Sequence, residues 1–253
     1  MDDTQGAKGR ATALYLDLMK RCLTDVIYER DGVGLDGTPF AIEIRAHGRD
    51  WPVRAHTMIG TRRLDNVQSC YEIVRRDGIP GDLIETGVWR GGATIFMRAL
   101  LEVYGDRDRT VWVADSFRGL PEPDPEHYPA DDGDTHYTMR VLAVSRAEVE
   151  QNFAAYGLLD DRVQFVEGWF RDTLPALPAE RFAIVRLDGD MYESTMQALE
   201  TLYPRLSSGG FLIVDDYGAV PGCARAVDDY RTQHGITEPV EQIDWAGVSW
   251  RRR

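Results

Sequence analysis

Apolar residues in the first part of the chain recur at helical spacing. Between residues 11 and 28 they fall mainly on one stripe, which predicts an amphipathic helix that ends near Tyr28. The Gly-rich stretch 31–37 predicts a turn, and the polar passage from there to Pro52 predicts a loop. A second helix is predicted over 61–76, because apolar residues again share one face before Asp77-Gly78 ends the pattern.

After Pro80 the pattern changes to short apolar runs that alternate with helical segments. The predicted strands are 82–86, 111–114, 163–166, 183–187 and 210–214, and the predicted helices are 93–104, 146–156, 193–206 and 223–234. This alternation is typical of βαβ units. The tail alternates at 240–243 and 248–250, which predicts an antiparallel hairpin. We therefore predict an α/β fold with a doubly wound, mostly parallel sheet, an N-terminal segment over 1–60 and a core domain over 61–253.

Length and charge limit the classes of partner. A chain of 253 residues suits one α/β domain with appendages. The net charge is −13, and the main basic cluster is the terminal run of three arginines, so no nucleic-acid partner is expected. A small molecule is the expected partner instead. The polar N-terminus and the absence of a run of about 20 apolar residues predict a cytoplasmic protein without a membrane partner.

The cysteines carry no pattern of a metal or redox site. Cys22, Cys70 and Cys223 are widely spaced, odd in number and set within apolar helical patterns. We predict that they are reduced core residues.

The first core strand ends in a glycine-rich turn that suits a ligand. The run over 85–92 contains Gly87, Gly91 and Gly92, which permit a tight turn and a close approach of a ligand to the backbone. It lacks the GxGxxG spacing, so alone it is equally well an ordinary turn between a strand and a helix.

Two further strand ends support a nucleoside site. Asp115-Ser116 follows the second strand and places a carboxylate where it can hold a ribose diol. Gly168-Trp169 follows the third strand and offers backbone groups and a ring face to an adenine, although Trp169 alone is as well explained as a core aromatic.

Acidic residues follow the fourth and fifth strands. Asp188-Gly189-Asp190 ends one strand and Asp215-Asp216 ends the next. Neighbouring strands lie about 4.8 Å apart, so these carboxylates repel one another unless a cation or a proton lies between them. Oxygen ligands without a His/Cys set favour Mg²⁺. The alternative is that the first pair caps the next helix and the second pair forms a turn.

A metal at this position has a chemical use, because coordination lowers the pKa of a hydroxyl and orients it. Asp188 is the predicted proton acceptor. His56 and His136 are rival bases, although a lone histidine more often serves packing or lies at the surface.

These residues together resemble a known family, the sugar O-methyltransferases of macrolide and aminocoumarin biosynthesis, typified by macrocin O-methyltransferase. The resemblance rests on the segments 15–18, 55–60, 85–92, 111–117, 156–161, 168–170, 188–190 and 215–217. It implies a Rossmann-like class I methyltransferase fold, S-adenosylmethionine as donor with S-adenosylhomocysteine as product, and a glycosylated natural product as acceptor. It also implies Mg²⁺ bound by Asp188, Asp215 and Asp216, with Asp188 as the catalytic base.

The resemblance adds contacts from the N-terminal segment, which would cover the cofactor and acceptor. The predicted cofactor-binding residues are then Thr57, Met58, Glu85, Thr86, Gly87, Arg90, Gly91, Gly92, Asp115, Ser116, Gly168 and Trp169. Residues 118–145 fall where the family carries a mobile lid, the alternative being a plain surface loop. The amphipathic arm at 11–28 predicts a homodimer.

Three other functions compete with this interpretation. A catechol-type O-methyltransferase would use the same metal chemistry on an aromatic diol. A nucleotide-sugar glycosyltransferase also uses an Asp-x-Asp motif, but basic residues for a diphosphate are missing near Asp188. A non-enzymatic interaction module would leave the acidic cluster without a use.

Overall fold

A computed structural model describes residues 3–28 and 32–253. The α-helices are α1 (Asp3–Leu23), α2 (Ile42–Ala46), α3 (Gly60–Arg76), α4 (Gly92–Val103), α5 (Arg146–Ala155), α6 (Phe170–Thr173), α7 (Tyr192–Leu202) and α8 (Pro221–His234). The strands are β1 (Asp82–Thr86), β2 (Val111–Asp115), β3 (Val163–Glu167), β4 (Phe182–Leu187), β5 (Leu206–Val214), β6 (Glu241–Gln242) and β7 (Val248–Arg251).

The strands form one sheet of seven in the order β3-β2-β1-β4-β5-β7-β6. The pairs from β3 through β5 are parallel, whereas β7 runs antiparallel to both β5 and β6. The strand order reverses between β1 and β4, and in such sheets the crevice at the carboxyl ends beside this point is the usual ligand site. The predicted doubly wound sheet and C-terminal hairpin are confirmed.

Two apolar layers cover the two faces of the sheet, because alternate strand residues point to opposite sides. Leu83 and Ile184 pack into the layer that contains α1, α3, α4 and α5. Ile84 and Val185 pack into the layer that contains α7 and α8. Strands buried on both faces explain the nearly continuous apolar runs in the sequence.

Several predicted boundaries are wrong by a few residues. The helix of the arm ends at Leu23 and not near Tyr28, and Asp25 adopts a φ of 54° just after it. The helix α7 ends at Leu202, because Pro204 cannot continue it, and β5 starts at Leu206 rather than at residue 210. The short helix α2 lies in a passage predicted as loop. The predicted turn at 31–37 begins at a residue outside the described part of the chain.

The segment 118–145, hereafter the insert, consists of loops and three short 3₁₀ turns. The turns are Pro129–Asp131, His136–Thr138 and Arg140–Leu142. Trp89 holds the last of them, because its indole Nε1 donates a hydrogen bond to the carbonyl oxygen of Val141 at 2.9 Å. The role of the insert as a mobile lid stays a prediction.

The arm helix α1 has one buried face and one exposed face. Leu16, Met19 and Leu23 are buried in the core, whereas the side chains of Leu14 and Leu18 are 61% and 53% exposed. Exposed leucines one helical turn apart suit an interface between chains. The homodimer stays a prediction, and light scattering that gives the mass of two chains is the expected result. Among the described helices, none is both long and apolar enough to cross a bilayer.

The three cysteines are free, in agreement with the prediction that they form no disulfide. Cys70 and Cys223 are buried, and burial raises the pKa of both thiols. Cys22 is only partly buried, so its assignment to the core is wrong; it lies at the edge of α1.

Candidate active site

A cavity opens at the carboxyl ends of the parallel strands, beside the point where the strand order reverses. Its lining includes most of the residues predicted from the sequence: Thr57, Met58, Glu85, Gly87, Asp115, Ser116, Gly168, Trp169, Asp188, Asp215 and Asp216. The fold therefore brings together residues as far apart in the sequence as Thr57 and Asp216, which are separated by 159 positions.

The structure places four predicted cofactor residues, Thr86, Arg90, Gly91 and Gly92, behind the cavity wall. Thr86 is fully buried in β1. Gly92 donates its N–H to the carbonyl oxygen of His56 at 2.9 Å, and Arg90 donates to the carbonyl oxygens of residues 53 and 55 at 2.8 and 2.9 Å. Arg90 and Gly92 thus hydrogen-bond to the segment that carries Thr57 and Met58, and direct contact of either with a cofactor stays a prediction.

The turn after β1 requires glycine at position 87. Gly87 has a φ of 82°, and a Cβ there would overlap the carbonyl oxygen of Asp188. The amide of Asp188 in turn donates to the carbonyl oxygen of Thr86 at 2.8 Å. The glycine-rich turn and the first carboxylate loop are thus packed directly on one another.

Asp115 sits at the end of β2 as a hydrogen-bond acceptor. Its two carboxylate oxygens accept the N–H groups of Val88 and Phe117, each at 2.7 Å. Burial raises the pKa of Asp115 despite these two donors. A carboxylate with two oxygens has further lone pairs, so this residue still fits the predicted role of holding a ribose diol.

The three carboxylates predicted as metal ligands converge. One oxygen each from Asp188, Asp215 and Asp216 lies within 4.8 Å of the others. The cause is the parallel pairing of β4 with β5, which aligns Leu187 with Val214 and brings the following residues to the same edge.

The electrostatics of this cluster fit a divalent cation. Within the described chain, Oδ2 of Asp216 is buried and has no hydrogen-bond partner. Burial raises the pKa of Asp216, and the charges of Asp190 and Asp188 raise it further. Burial likewise raises the pKa of Asp188, and repulsion from Asp215 raises it further. Convergent carboxylate oxygens that repel one another, with one buried oxygen left without a partner, are the donor set that a hard cation would satisfy.

Two arginines already offset part of this negative charge. Arg186, fully buried within β4, donates to Asp188 at 2.7 Å and also to Asp215 and Glu85. Glu85 therefore lines the cavity as the partner of an arginine, and burial still raises its pKa to about 8. Sequence reasoning missed Arg186, although a single charge within an otherwise apolar strand signals a buried partner.

The second arginine comes from α3. Arg63 donates to the other oxygen of Asp215 and, through Nε, to Asp244 at 3.0 Å. Both oxygens of Asp215 thus accept from an arginine. The link through Asp244 ties the C-terminal hairpin to the carboxylate cluster, a role that sequence reasoning also missed.

Asp190 lies in the cavity next to the three convergent carboxylates but outside their set. It adopts a φ of 56°, which is uncommon for a residue with a side chain. Burial, together with the charge of Asp188, raises the pKa of Asp190 to about 7.

The alternative in which Asp188 and Asp190 cap the following helix is wrong, whereas Asp215 and Asp216 do lead into a turn, in which the carbonyl oxygen of Asp216 accepts the N–H groups of residues 219 and 220. The first free N–H groups of α7, those of Tyr192 and Glu193, donate to the carboxylate of Asp131 at 2.7 and 2.9 Å. Asp131 belongs to the insert, so the carboxylates of Asp188 and Asp190 are not needed as caps.

The two histidines differ in position. His136 lines the cavity, and its Nδ1 lies 2.7 Å from Oδ2 of Asp134. His56 lies outside the cavity lining, with Nδ1 2.9 Å from the hydroxyl of Tyr156. Burial lowers the pKa of His56, and nearby Arg90 lowers it further.

Comparison with known proteins agrees with this geometry. A family model described as Macrocin-O-methyltransferase (TylF) matches residues 12–252. A Streptomyces olivaceus protein, named 8-demethyl-8-(2,3-dimethoxy-alpha-L-rhamnosyl)-tetracenomycin-C 4'-O-methyltransferase, is 55% identical over 95% of this chain and 93% of its own. Mycinamicin III 3''-O-methyltransferase of Micromonospora griseorubida is 52% identical over 94% and 96% of the two chains.

Solved structures give the same result. The O-methyltransferase NovP superposes with a TM-score of 0.92 and 49% identity, over 95% of this chain and 99% of that one. The calicheamicin methyltransferase CalS11, 24% identical, shares the fold with a TM-score of 0.61 over 93% and 91% of the two chains.

The predicted class I methyltransferase fold and the predicted O-methyltransferase class are confirmed. With the family model spanning nearly the whole sequence, the chain belongs to the macrocin O-methyltransferase family.

Proposed function

We propose that this protein transfers a methyl group from S-adenosylmethionine to a sugar hydroxyl of a glycosylated natural product, in a reaction that depends on Mg²⁺. The observation that carries the proposal is the convergence of three carboxylates beside a cavity that also holds the predicted nucleoside contacts. The rhamnosyl compound in the name of one relative supports a sugar acceptor.

The donor would lie along the ends of β1, β2 and β3. Gly87 lines the cavity on a turn that packs directly against Asp188, and Asp115 offers acceptor oxygens to the ribose. Gly168 and Trp169 line the same cavity and would contact the adenine, while Thr57 and Met58 would cover the donor from the N-terminal segment.

The metal would be held by Asp188, Asp215 and Asp216, and when bound it would supply Lewis acidity that lowers the pKa of the acceptor hydroxyl. Arg63 and Arg186 fix both oxygens of Asp215, so this ligand is oriented before any cation binds. A site ordered in advance avoids part of the cost of arranging like charges during the reaction.

The carboxylate of Asp188 is our proposed proton acceptor, since it lines the cavity and keeps one oxygen free of Arg186. Asp190 is a second candidate, because it lines the same cavity and, among the described residues, pairs with no arginine. A general base must lie within hydrogen-bond reach of the acceptor hydroxyl, and both residues line the cavity in which we place that hydroxyl.

The cavity favours an uncharged acceptor over a nucleotide sugar. Among the described lining residues, Arg63 is already ion-paired with Asp215 and Asp244. Arg171 is 61% exposed at its side chain and faces Asp172 and Glu193. Besides a metal ion, a diphosphate needs basic side chains that are free to bind it. This argues against the glycosyltransferase alternative, while a neutral glycoside needs no such charge.

The test is a comparison of matched acceptors in the presence of S-adenosylmethionine and Mg²⁺. We expect glycosylated natural products to gain one methyl group, located on the sugar by fragmentation in mass spectrometry, and their aglycones to gain none. Methylation of a simple catechol in preference to every glycoside would instead support the catechol-type alternative.

A further inference from the structure

We propose that Asp131 is a positioning residue that latches the insert onto the start of α7 and so links closure of the insert to the geometry of the metal-binding loops. The link to the metal rests on the proposed function, whereas the latch itself does not. Asp131 is only 3% exposed, although it lies within a segment made largely of loops.

Both oxygens of the Asp131 carboxylate are used. Oδ1 accepts the N–H of Tyr192 at 2.7 Å, and Oδ2 accepts the N–H of Glu193 at 2.9 Å. The residue that precedes α7, Met191, makes no capping hydrogen bond with its side chain. The helix therefore depends for its cap on a residue about 60 positions earlier in the chain.

The cap acts next to the carboxylate loop. Asp190 stands two residues before Tyr192 and has a positive φ, and the amide of Met191 donates to the carbonyl oxygen of Gly189 at 2.6 Å. If the first turn of α7 lost its cap and unfolded, this tight turn would no longer be held in place. Release of Asp131 would therefore loosen the direction of the cavity-lining carboxylates at 188 and 190.

The same aspartate also contacts the start of α8, which follows the second carboxylate loop. A Cβ on Gly222, in the first turn of α8, would lie 3.0 Å from Oδ1 of Asp131. The rings of Tyr128 and Tyr192 pack with their centroids 6.3 Å apart and add an apolar contact to the latch. Asp131 thus sits between the two helices that follow the two metal-binding loops.

The insert itself forms part of the cavity wall. Leu120, Pro121, His136 and Leu142 line the cavity from the insert, and Glu193, Ser194 and Gln197 line it from α7. Opening the insert would expose the cavity and remove the cap of α7 in one step. This coupling would let the site assemble fully only when the insert is closed.

Limited digestion with trypsin tests the latch without any ligand. Arg118 and Arg140 are exposed cleavage sites within the insert. We expect Asp131→Ala to be cut at these positions about tenfold faster than wild type, since the closed insert loses both hydrogen bonds to α7. The control is Asp132→Asn, an exposed neighbour, which should match wild type. Equal cleavage of Asp131→Ala and wild type would overturn the latch.

A second readout separates positioning from mere stabilisation. In Asp131→Ala we expect the Mg²⁺ concentration for half-maximal methyl transfer to rise about tenfold over wild type. The value for Asp131→Asn should lie between those of wild type and Asp131→Ala, because asparagine keeps one acceptor oxygen. An unchanged Mg²⁺ requirement with faster cleavage would overturn the coupling. If wild type needs no Mg²⁺, the proposed metal role fails, while the digestion still decides the latch. If the alanine variant does not fold, Asp131→Asn carries both comparisons.

Discussion

Replacing Arg186 with methionine is expected to lower the free energy of unfolding by about 3–5 kcal/mol. The guanidinium is fully buried and donates to Glu85, Asp188 and Asp215. Methionine fills much of the same volume but leaves these carboxylates without their shared cation, and a buried unpaired charge is costly. Urea denaturation in the presence of a chelator measures the loss without compensation from a bound metal.

A matched control and a double variant make this prediction specific. Arg225→Met removes an exposed arginine of α8 and should change stability by less than about 0.5 kcal/mol. Adding Glu85→Gln to Arg186→Met removes one of the unpaired carboxylates and should restore part of the loss. Equal stability of Arg186→Met and Arg225→Met would mean that the network does not hold the carboxylate loops.

Replacing Asp188 with asparagine is expected to reduce turnover by about 10²–10⁴-fold. Asparagine keeps the size of the side chain but removes both the proposed metal ligand and the proposed proton acceptor. The fold should survive, because the pKa of Asp188 is raised by burial and by Asp215, so its charge is not favoured in the folded state. The measurements are initial rates of methyl transfer and a melting curve of the same preparation.

Two further variants show how a loss of turnover in Asp188→Asn is to be understood. Asp161→Asn, an exposed change in the loop before β3, should keep wild-type turnover. Asp190→Asn decides between the candidate bases: loss of turnover with an unchanged Mg²⁺ requirement would assign the proton to Asp190. Wild-type turnover of Asp188→Asn would remove both of its proposed roles.

The strand ends that line the cavity could be predicted from the sequence because they depend on local patterns. Short apolar runs followed by Gly or Asp mark the ends of parallel strands, and the topology then brings them to one edge. This is why the sequence predicts Gly87, Asp115, Asp188 and Asp216 as site residues, and all four line one cavity.

The site features that the sequence does not predict depend on contacts between distant segments. Nothing near Asp131 in the sequence indicates that it caps a helix at Tyr192. The bond from Arg63 to Asp244 spans 181 positions, and only the closed C-terminal hairpin creates it. The hydrogen bonds of Arg90 to residues 53 and 55 likewise follow from tertiary packing and not from its place in a glycine-rich turn.

The measurement that tests the central claim most directly is methyl transfer to a glycosylated acceptor before and after removal of metal. Wild-type protein is assayed with S-adenosylmethionine, then with excess chelator, and then with Mg²⁺ restored. We predict methylation of the sugar, loss of turnover with chelator, and recovery with Mg²⁺, while binding of S-adenosylhomocysteine measured by calorimetry persists throughout. Undiminished turnover in chelator would contradict the metal mechanism, and no binding of S-adenosylhomocysteine in any condition would contradict the proposed donor.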